Sequence, residues 1–205
     1  MSFGKEAGTI GHYFSQDNDQ LESRRRTIRF HVLDRDYELV TDNGVFSKSA
    51  LDFGTRVLLE NLGRVSGPDV LDLGCGYGPI GIVAARSFGW RVVMADVNPR
   101  AVELAKDNAA AYHLDSTVVQ SDGFSHLAGL FDAILMNPPI RTGKKIVYGL
   151  FTAAKDHLKA GGRLMLVIQK KQGAESALVF LRTLFAKVDL VAKDAGYRVF
   201  VCENI

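Results

Sequence analysis

Residues 70–81 read Val70-Leu71-Asp72-Leu73-Gly74-Cys75-Gly76-Tyr77-Gly78-Pro79-Ile80-Gly81, a short apolar run that breaks into alternating glycines and resumes as a helix at Pro79. Few folds accommodate that order. Glycine permits positive φ and lets a ligand approach the backbone closely. In open α/β sheets such a loop lies at the carboxyl end of a parallel strand, where ligands bind. The rest of the chain supports this frame. Strand-like runs at 91–95, 117–120, 133–136, 163–168, 188–191 and 197–202 alternate with helical patterns at 79–88, 99–112, 144–159 and 174–185, the third of them closed by Gly161-Gly162. The last two runs are joined by a turn through Lys193-Asp194-Ala195-Gly196, too short for a helical crossover, so that pair is antiparallel. We expect an α/β fold of Rossmann type: a mainly parallel, seven-stranded sheet with an antiparallel last strand.

Ahead of this core, Thr27–Leu33 and Tyr37–Val40 alternate across an Asp34-Arg35-Asp36 turn, as in a β-hairpin. A helix carrying Leu51, Val57, Leu58 and Leu62 follows. Residues 1–26 are expected to form an N-terminal arm, 27–66 a hairpin and helix belonging to the same domain, and 67–205 the ligand-binding core. The chain has 205 residues and a formal net charge of only +2, so charge clusters are more informative than the total. Its two cysteines, Cys75 and Cys202, have no paired spacing, which argues against a zinc ribbon or a disulfide scaffold. No metal site is expected. No apolar run approaches the roughly 20 residues needed to span a bilayer, and the N-terminus has no apolar signal core. These features lead us to expect a cytoplasmic protein without a membrane partner.

Gly76, Gly78 and Gly81 satisfy G-x-G-x-x-G, and Asp96 ends the next strand, placed for ribose hydroxyls. That pattern alone suits a nicotinamide dinucleotide as well as S-adenosylmethionine. Asp72 favours the latter. It lies within the strand, where a dehydrogenase usually carries an apolar residue, and a carboxylate there can meet the positively charged amino end of S-adenosylmethionine. Asp72-Leu73-Gly74-Cys75-Gly76 resembles motif I of class I methyltransferases. Asp122, in Ser121-Asp122-Gly123, holds the position that typically accepts a hydrogen bond from adenine in that family. The candidate cofactor residues are Asp72, Gly74, Cys75, Gly76, Gly78, Asp96, Val97, Asn98, Asp122, Gly123 and Asn137. Asp96 and Asp122 also have plain readings, as a helix cap and a turn residue.

The reaction class is suggested by Met136-Asn137-Pro138-Pro139-Ile140. This resembles the Asn/Asp-Pro-Pro-aromatic motif of methyltransferases that act on planar amines. Such an amine is a poor nucleophile because its lone pair is delocalised. The Asn137 side-chain oxygen can accept one N–H and the Pro138 carbonyl the other, while the prolines fix the backbone. Asn137, Pro138 and Pro139 are the candidate catalytic residues. The fourth position departs from the motif: Ile140 stands where an aromatic usually stacks on the target base. Phe46 or Tyr148 are candidates to supply that ring, though both could equally be core residues. Arg141, Lys144 and Lys145 follow the Pro-Pro turn, and Lys170 and Lys171 follow the fifth core strand. Both groups leave carboxyl ends of strands, so they should share one rim and offer a phosphate-binding footprint, with Arg24-Arg25-Arg26 adding to it. Phe46, Ile140, Arg141, Lys144, Lys170 and Lys171 are the candidate substrate residues.

The span from His12-Tyr13-Phe14-Ser15 onward is similar to the small methyltransferase domain of bacterial 16S ribosomal RNA guanine-N2 methyltransferases. The likeness is carried by Gly44-Val45-Phe46-Ser47, the glycine loop, Asp96, the Asn-Pro-Pro turn and Lys159-Ala160-Gly161-Gly162. Asn137-Pro138-Pro139-Ile140-Arg141 and Gln169-Lys170-Lys171-Gln172-Gly173 resemble its single-domain branch. The resemblance implies S-adenosylmethionine as cofactor and ribosomal RNA, or a ribosomal subunit, as partner. A protein glutamine methyltransferase and a non-catalytic RNA-binding module are the alternatives, with a small-molecule methyltransferase last because no lid domain is apparent.

Overall fold

The computed structural model describes residues 22–47 and 49–205. The His12–Ser15 segment and most of the expected N-terminal arm lie outside them.

Strands β1 (Arg26–Val32) and β2 (Arg35–Thr41) form an antiparallel pair of their own. Leu33 and Asp34, both at positive φ, make the two-residue connection, a turn whose twist matches that of the flanking strands. One face buries Ile28, Phe30, Val32, Tyr37 and Leu39, while Arg29 and Glu38 pair on the other at 2.6 Å. Period-2 patterning thus decides which face meets the core. Helix α1 (Phe53–Leu59) starts at Asp52, whose side chain accepts the Thr55 amide N–H at 2.9 Å. That bond satisfies a donor the first helical turn leaves unpaired.

The core runs β3 (Asp69–Leu73), α2 (Pro79–Phe88), β4 (Arg91–Asp96), α3 (Pro99–Ala111), β5 (Thr117–Gln120), β6 (Phe131–Met136), α4 (Lys144–Asp156), β7 (Leu158–Gln169), α5 (Ala174–Leu184), β8 (Lys187–Asp194) and β9 (Tyr197–Glu203). The strands lie in the order β5-β4-β3-β6-β7-β9-β8. Only β9 runs against its neighbours, inserted between β7 and β8 and joined to β8 by Ala195-Gly196, both at positive φ. The expected sheet is the one observed. Alternate strand residues feed two cores. Val70, Met94, Ala133, Leu135, Met165 and Val167 pack with the hairpin, α1, α2 and α3. Leu71, Leu73, Ile134, Met136, Leu164, Leu166 and Ile168 pack against α4 and α5. Coverage of both faces is what makes such strands almost continuously apolar.

Several boundaries differ from expectation. The hairpin turns at Leu33-Asp34, with Arg35 and Asp36 already paired in β2, and Leu51 and Leu62 lie outside α1. The helical pattern read as 144–159 stops at Asp156, and Gly161-Gly162 belongs to β7 rather than to a helix cap. Leu158 pairs with Phe131, and the register slips before Ala133 pairs with Arg163. Asn204 secures the irregularity by donating from its side chain to Leu158 and Lys159 and by exchanging backbone bonds with Gly161 and Gly162. A Cβ at Gly162 would lie 2.9 Å from the carbonyl oxygens of Lys159 and Phe131. The glycine is needed for close backbone approach in a bulge.

Candidate active site

Leu73 pairs in register with both Ala95 of β4 and Met136 of β6. Gly74, Asp96 and Asn137 therefore leave three adjacent strands at one level. The chain reverses its winding here, with β4 on one side of β3 and β6 on the other, and a crevice opens at such a switch point. The cavity measures about 540 Å³, within the usual range for small-molecule sites.

The glycine loop is pinned from below. The amides of Gly74 and Cys75 both donate to the Ala95 carbonyl, at 2.8 and 3.0 Å. The Asp96 carboxylate accepts the Gly76 amide at 2.8 Å through one oxygen and the Asn98 amide at 2.9 Å through the other. Burial raises the pKa of Asp96, and the amides around it offset part of that rise. Gly74 and Gly76 sit at φ +74° and +57°, and a Cβ on either would meet nothing within 4 Å. The loop thus leaves open space where a cofactor must approach. Gly78 does not line the cavity: its Cβ would face Ile82, Met94 and Ala105, so it serves the helix start and the packing beneath. Asp72 is likewise beneath the loop. It is fully buried, accepts the Gly81 amide at 2.8 Å through one oxygen and leaves the other without a partner. Burial, helped by the charge of Asp96 and opposed by the Gly81 amide, pushes its pKa up to about 7. Burial also raises the Cys75 thiol, which stays protonated at the cavity wall.

Val97, Asn98, Asp122 and Gly123 line the far side. Asn98 is buried, caps α3 through the Arg100 amide and donates to the Gly44 carbonyl at 2.9 Å. That bond draws the Val45-Phe46-Ser47 loop over the cavity, with Phe46 lining it and still 43% exposed.

Asn137 closes the opposite side. Its amide nitrogen donates to Asp52 at 3.1 Å and to the Thr55 hydroxyl at 2.9 Å. A carboxylate can only accept, so the reversed amide would set oxygen against oxygen. The orientation is therefore fixed, and among the described residues nothing donates to the amide oxygen. Pro139 lines the cavity beside it, but Pro138 does not, and the Pro138 carbonyl already accepts the Ile140 amide at 2.8 Å within its own turn. Ile140 is not brought into the cavity either; it packs against the core under α4. Tyr148 stacks on Phe180 at 4.2 Å between ring centroids, turned toward α5. Sequence reasoning missed Asp52, Thr55, Tyr77, Thr142, Ile146 and Leu150, all of which line the cavity. Asp52 carried a visible signal as a helix cap, whereas Ile146, 53% exposed in the structure, carried none.

Arg141, Lys144, Lys145, Lys170 and Lys171 lie outside the cavity, exposed on the turns that follow β6 and β7 and, for Lys144 and Lys145, at the start of α4. None of these five side chains forms an ion pair among the described residues. By contrast, Arg25 is paired with Asp107, and Lys159 with Asp69 and Asp132. No group of three or more metal-ligating side chains is present among the described residues, and no helix among them is long and apolar enough to cross a membrane.

A glycine-lined crevice at the switch point of a sheet in this order is the hallmark of the Rossmann-like, S-adenosylmethionine-dependent methyltransferases. Comparison narrows the class. A family model of the methyltransferase small domain matches residues 36–201, and the chain belongs to that family. An uncharacterized protein of Bacillus subtilis, YbxB, is 44% identical over 200 residues, covering 95% of this chain and 98% of that one. Ribosomal RNA small subunit methyltransferase C of Aeromonas hydrophila is 36% identical over 166 residues, covering 77% of this chain and 46% of that one. Among solved structures, the Thermus thermophilus 16S rRNA N2 G1207 methyltransferase, in complex with AdoMet and guanosine, superimposes with a TM-score of 0.81 at 28% identity. It is matched over 90% of this chain and 52% of its own. The chain thus spans about half the length of these two rRNA methyltransferases. The cofactor of the family is S-adenosylmethionine, and the open glycine cradle with Asp96 at its edge fits it.

Proposed function

We propose that the protein transfers a methyl group to an exocyclic amine of a nucleobase, guanine N2 in ribosomal RNA. The observation that carries this reading is the fixed amide of Asn137, which offers an acceptor oxygen to the cavity at the level of the glycine loop. When bound, S-adenosylmethionine would supply an electrophilic methyl group, its S–CH3 bond breaking to leave the neutral thioether S-adenosylhomocysteine, and the methylated nitrogen would then release one proton to solvent. Asn137 holds the amine by one N–H and favours a tetrahedral nitrogen. As the new N–C bond forms, positive charge grows on that nitrogen, and a preorganised acceptor stabilises it. No strong base is needed beforehand. The target base must leave its stack to enter the cavity, and Phe46 offers it a ring. The unpaired cations following β6 and β7 provide the phosphate contacts. The guanine-N2 activity named for the Thermus relative supports the choice of base. Action on ribosomes would place the activity in the cytoplasm.

Transfer of tritiated methyl into rRNA, isolated ribosomal subunits and whole-cell protein tests the proposal. Label should enter rRNA or the small subunit. Label in protein alone would establish the glutamine-directed alternative, and binding to RNA with no label would establish the non-catalytic one. Asn137→Ala should keep cofactor binding and lose turnover by about two orders of magnitude or more.

A further inference from the structure

We propose that Asp52 reads the base next to the methylated amine and restricts the target to guanine; this rests on the nucleobase-amine reading above. Asp52 lines the cavity at the start of α1. Its Oδ2 is spent on the Thr55 amide and on Asn137 Nδ2. Its Oδ1 makes no hydrogen bond among the described residues. The Thr55 hydroxyl oxygen is taken up as a second acceptor for Asn137, and the Pro138 carbonyl is turned into its own backbone turn. Among the described residues two acceptors are therefore left without a donor on cavity-lining side chains that are joined to each other by a hydrogen bond: the Asn137 amide oxygen and Oδ1 of Asp52.

That pattern selects among the possible targets by hydrogen-bond polarity. In guanine the C2 amine is flanked by N1–H, so two donors lie along one edge. In adenine the amine neighbours the N1 acceptor, and in cytosine the N3 acceptor. The amide nitrogen of a glutamine side chain neighbours its own carbonyl oxygen. Only guanine, among these, offers a donor to Asp52 while its amine rests on Asn137. The others set a lone pair against a carboxylate and leave both unpaired, a mismatch that discriminates far more strongly than shape alone.

The test uses the cofactor-saturated, full-length protein and three nucleosides. Guanosine carries the amine and N1–H. In 2-aminopurine riboside the same amine sits beside an N1 acceptor, and in 1-methylguanosine the N1–H is replaced by a methyl group. Guanosine should bind about ten- to a hundredfold more tightly than either analogue, the range expected for a hydrogen bond to a charged acceptor. In Asp52→Asn the amide oxygen can retain the bonds to Thr55 and Asn137, and the amide nitrogen then faces the base as a donor. The preference for guanosine over 2-aminopurine riboside should fall by about tenfold or invert. A folded Asp52→Asn protein that keeps the full preference overturns the proposal. So does a wild-type protein that binds guanosine and its analogues equally or not at all, a comparison that needs no variant. The two readings fail separately. Label in rRNA without base preference removes the role of Asp52 alone. Guanosine preference without label in any RNA removes the rRNA reading and leaves the base reading standing.

Discussion

The Asp72 carboxylate accepts the Gly81 amide from beneath the glycine loop, and its second oxygen faces no partner in a fully buried position. Its pKa lies at about 7 instead of 3.8, chiefly because burial penalises the charge. Between those values the folded protein holds a proton that the unfolded chain has released. Stability from this group is therefore intact below about pH 4 and is lost as pH rises toward about 7. A shift of this size corresponds to about 4 kcal/mol as an upper bound. Asp72→Asn can keep an oxygen on the Gly81 amide without carrying the charge. Urea unfolding of the cofactor-free proteins at about pH 5 and about pH 8 should show the wild type falling relative to the variant. Parallel behaviour across that window would contradict a buried, weakly acidic Asp72.

Gly76 and Gly78 lie two residues apart in one loop but face different volumes. An added methyl at Gly76 projects into open space, whereas at Gly78 it would lie 3.1 Å from Ile82 and 3.3 Å from Met94. Both positions have positive φ, which costs a non-glycine residue about 1–2 kcal/mol. Gly76→Ala is expected to fold with that loss alone and to weaken S-adenosylmethionine binding by about tenfold or more, because the methyl group takes up the space a ligand needs. Gly78→Ala should lose more stability through crowding. Calorimetric titration and thermal unfolding of both variants would separate the two effects. Equal cofactor affinity in wild type and Gly76→Ala would contradict the assignment of this space to the cofactor.

The sheet was legible because its signals are local. Glycines after an apolar strand, Pro79 and Pro99 at helix starts and a short final turn each act within a few residues. The Gly161-Gly162 pair misled for the same reason: a helix end and a β-bulge use glycine alike, and Asn204, which settles the matter, lies more than forty residues onward. Asp52 was readable as a helix cap, but its bond to Asn137 spans 85 positions and exists only because α1 packs beside the end of β6. Ile140, Arg141, Lys144 and Lys145 follow β6 and Lys170 and Lys171 follow β7, yet none of them lines the cavity. The directions of those turns are not encoded locally.

Asn108 was unreadable altogether. A polar residue in a helix suggests solvent, yet Asn108 is buried and pairs with both the amide and the carbonyl of Val40 at 2.8 Å and with the Tyr77 carbonyl at 2.9 Å. One side chain thus joins the N-terminal hairpin, α3 and the glycine loop. Asn108→Ala would leave three backbone groups unpaired, the buried carbonyl of Tyr77 and the part-buried amide and carbonyl of Val40. Each costs about 1 kcal/mol or more where water does not replace the bond. We expect a loss of about 2–4 kcal/mol and a marked fall in Tm, together with weaker cofactor binding through the loosened loop. Asn108→Asp should not rescue, because a carboxylate cannot donate to the two carbonyls. A Tm unchanged by Asn108→Ala would mean that the hairpin is held by its apolar face alone.

The cations on the turns after β6 and β7 make a prediction that depends on salt and not on sequence. Arg141, Lys144, Lys145, Lys170 and Lys171 are exposed and form no ion pairs among the described residues, so phosphates would meet charges that need not first be released from a protein partner. Each phosphate contact releases condensed counterions and adds about 0.7 to 0.9 to the slope of log affinity against log salt. Lys170→Ala with Lys171→Ala should therefore reduce that slope by up to about 1.8, with little change in S-adenosylmethionine affinity, because neither residue lines the cavity. The same pair on a purely solvated surface would leave the slope where it was. Filter binding to small-subunit rRNA over a series of salt concentrations reads the difference directly, and an unchanged slope would move the RNA footprint away from these turns.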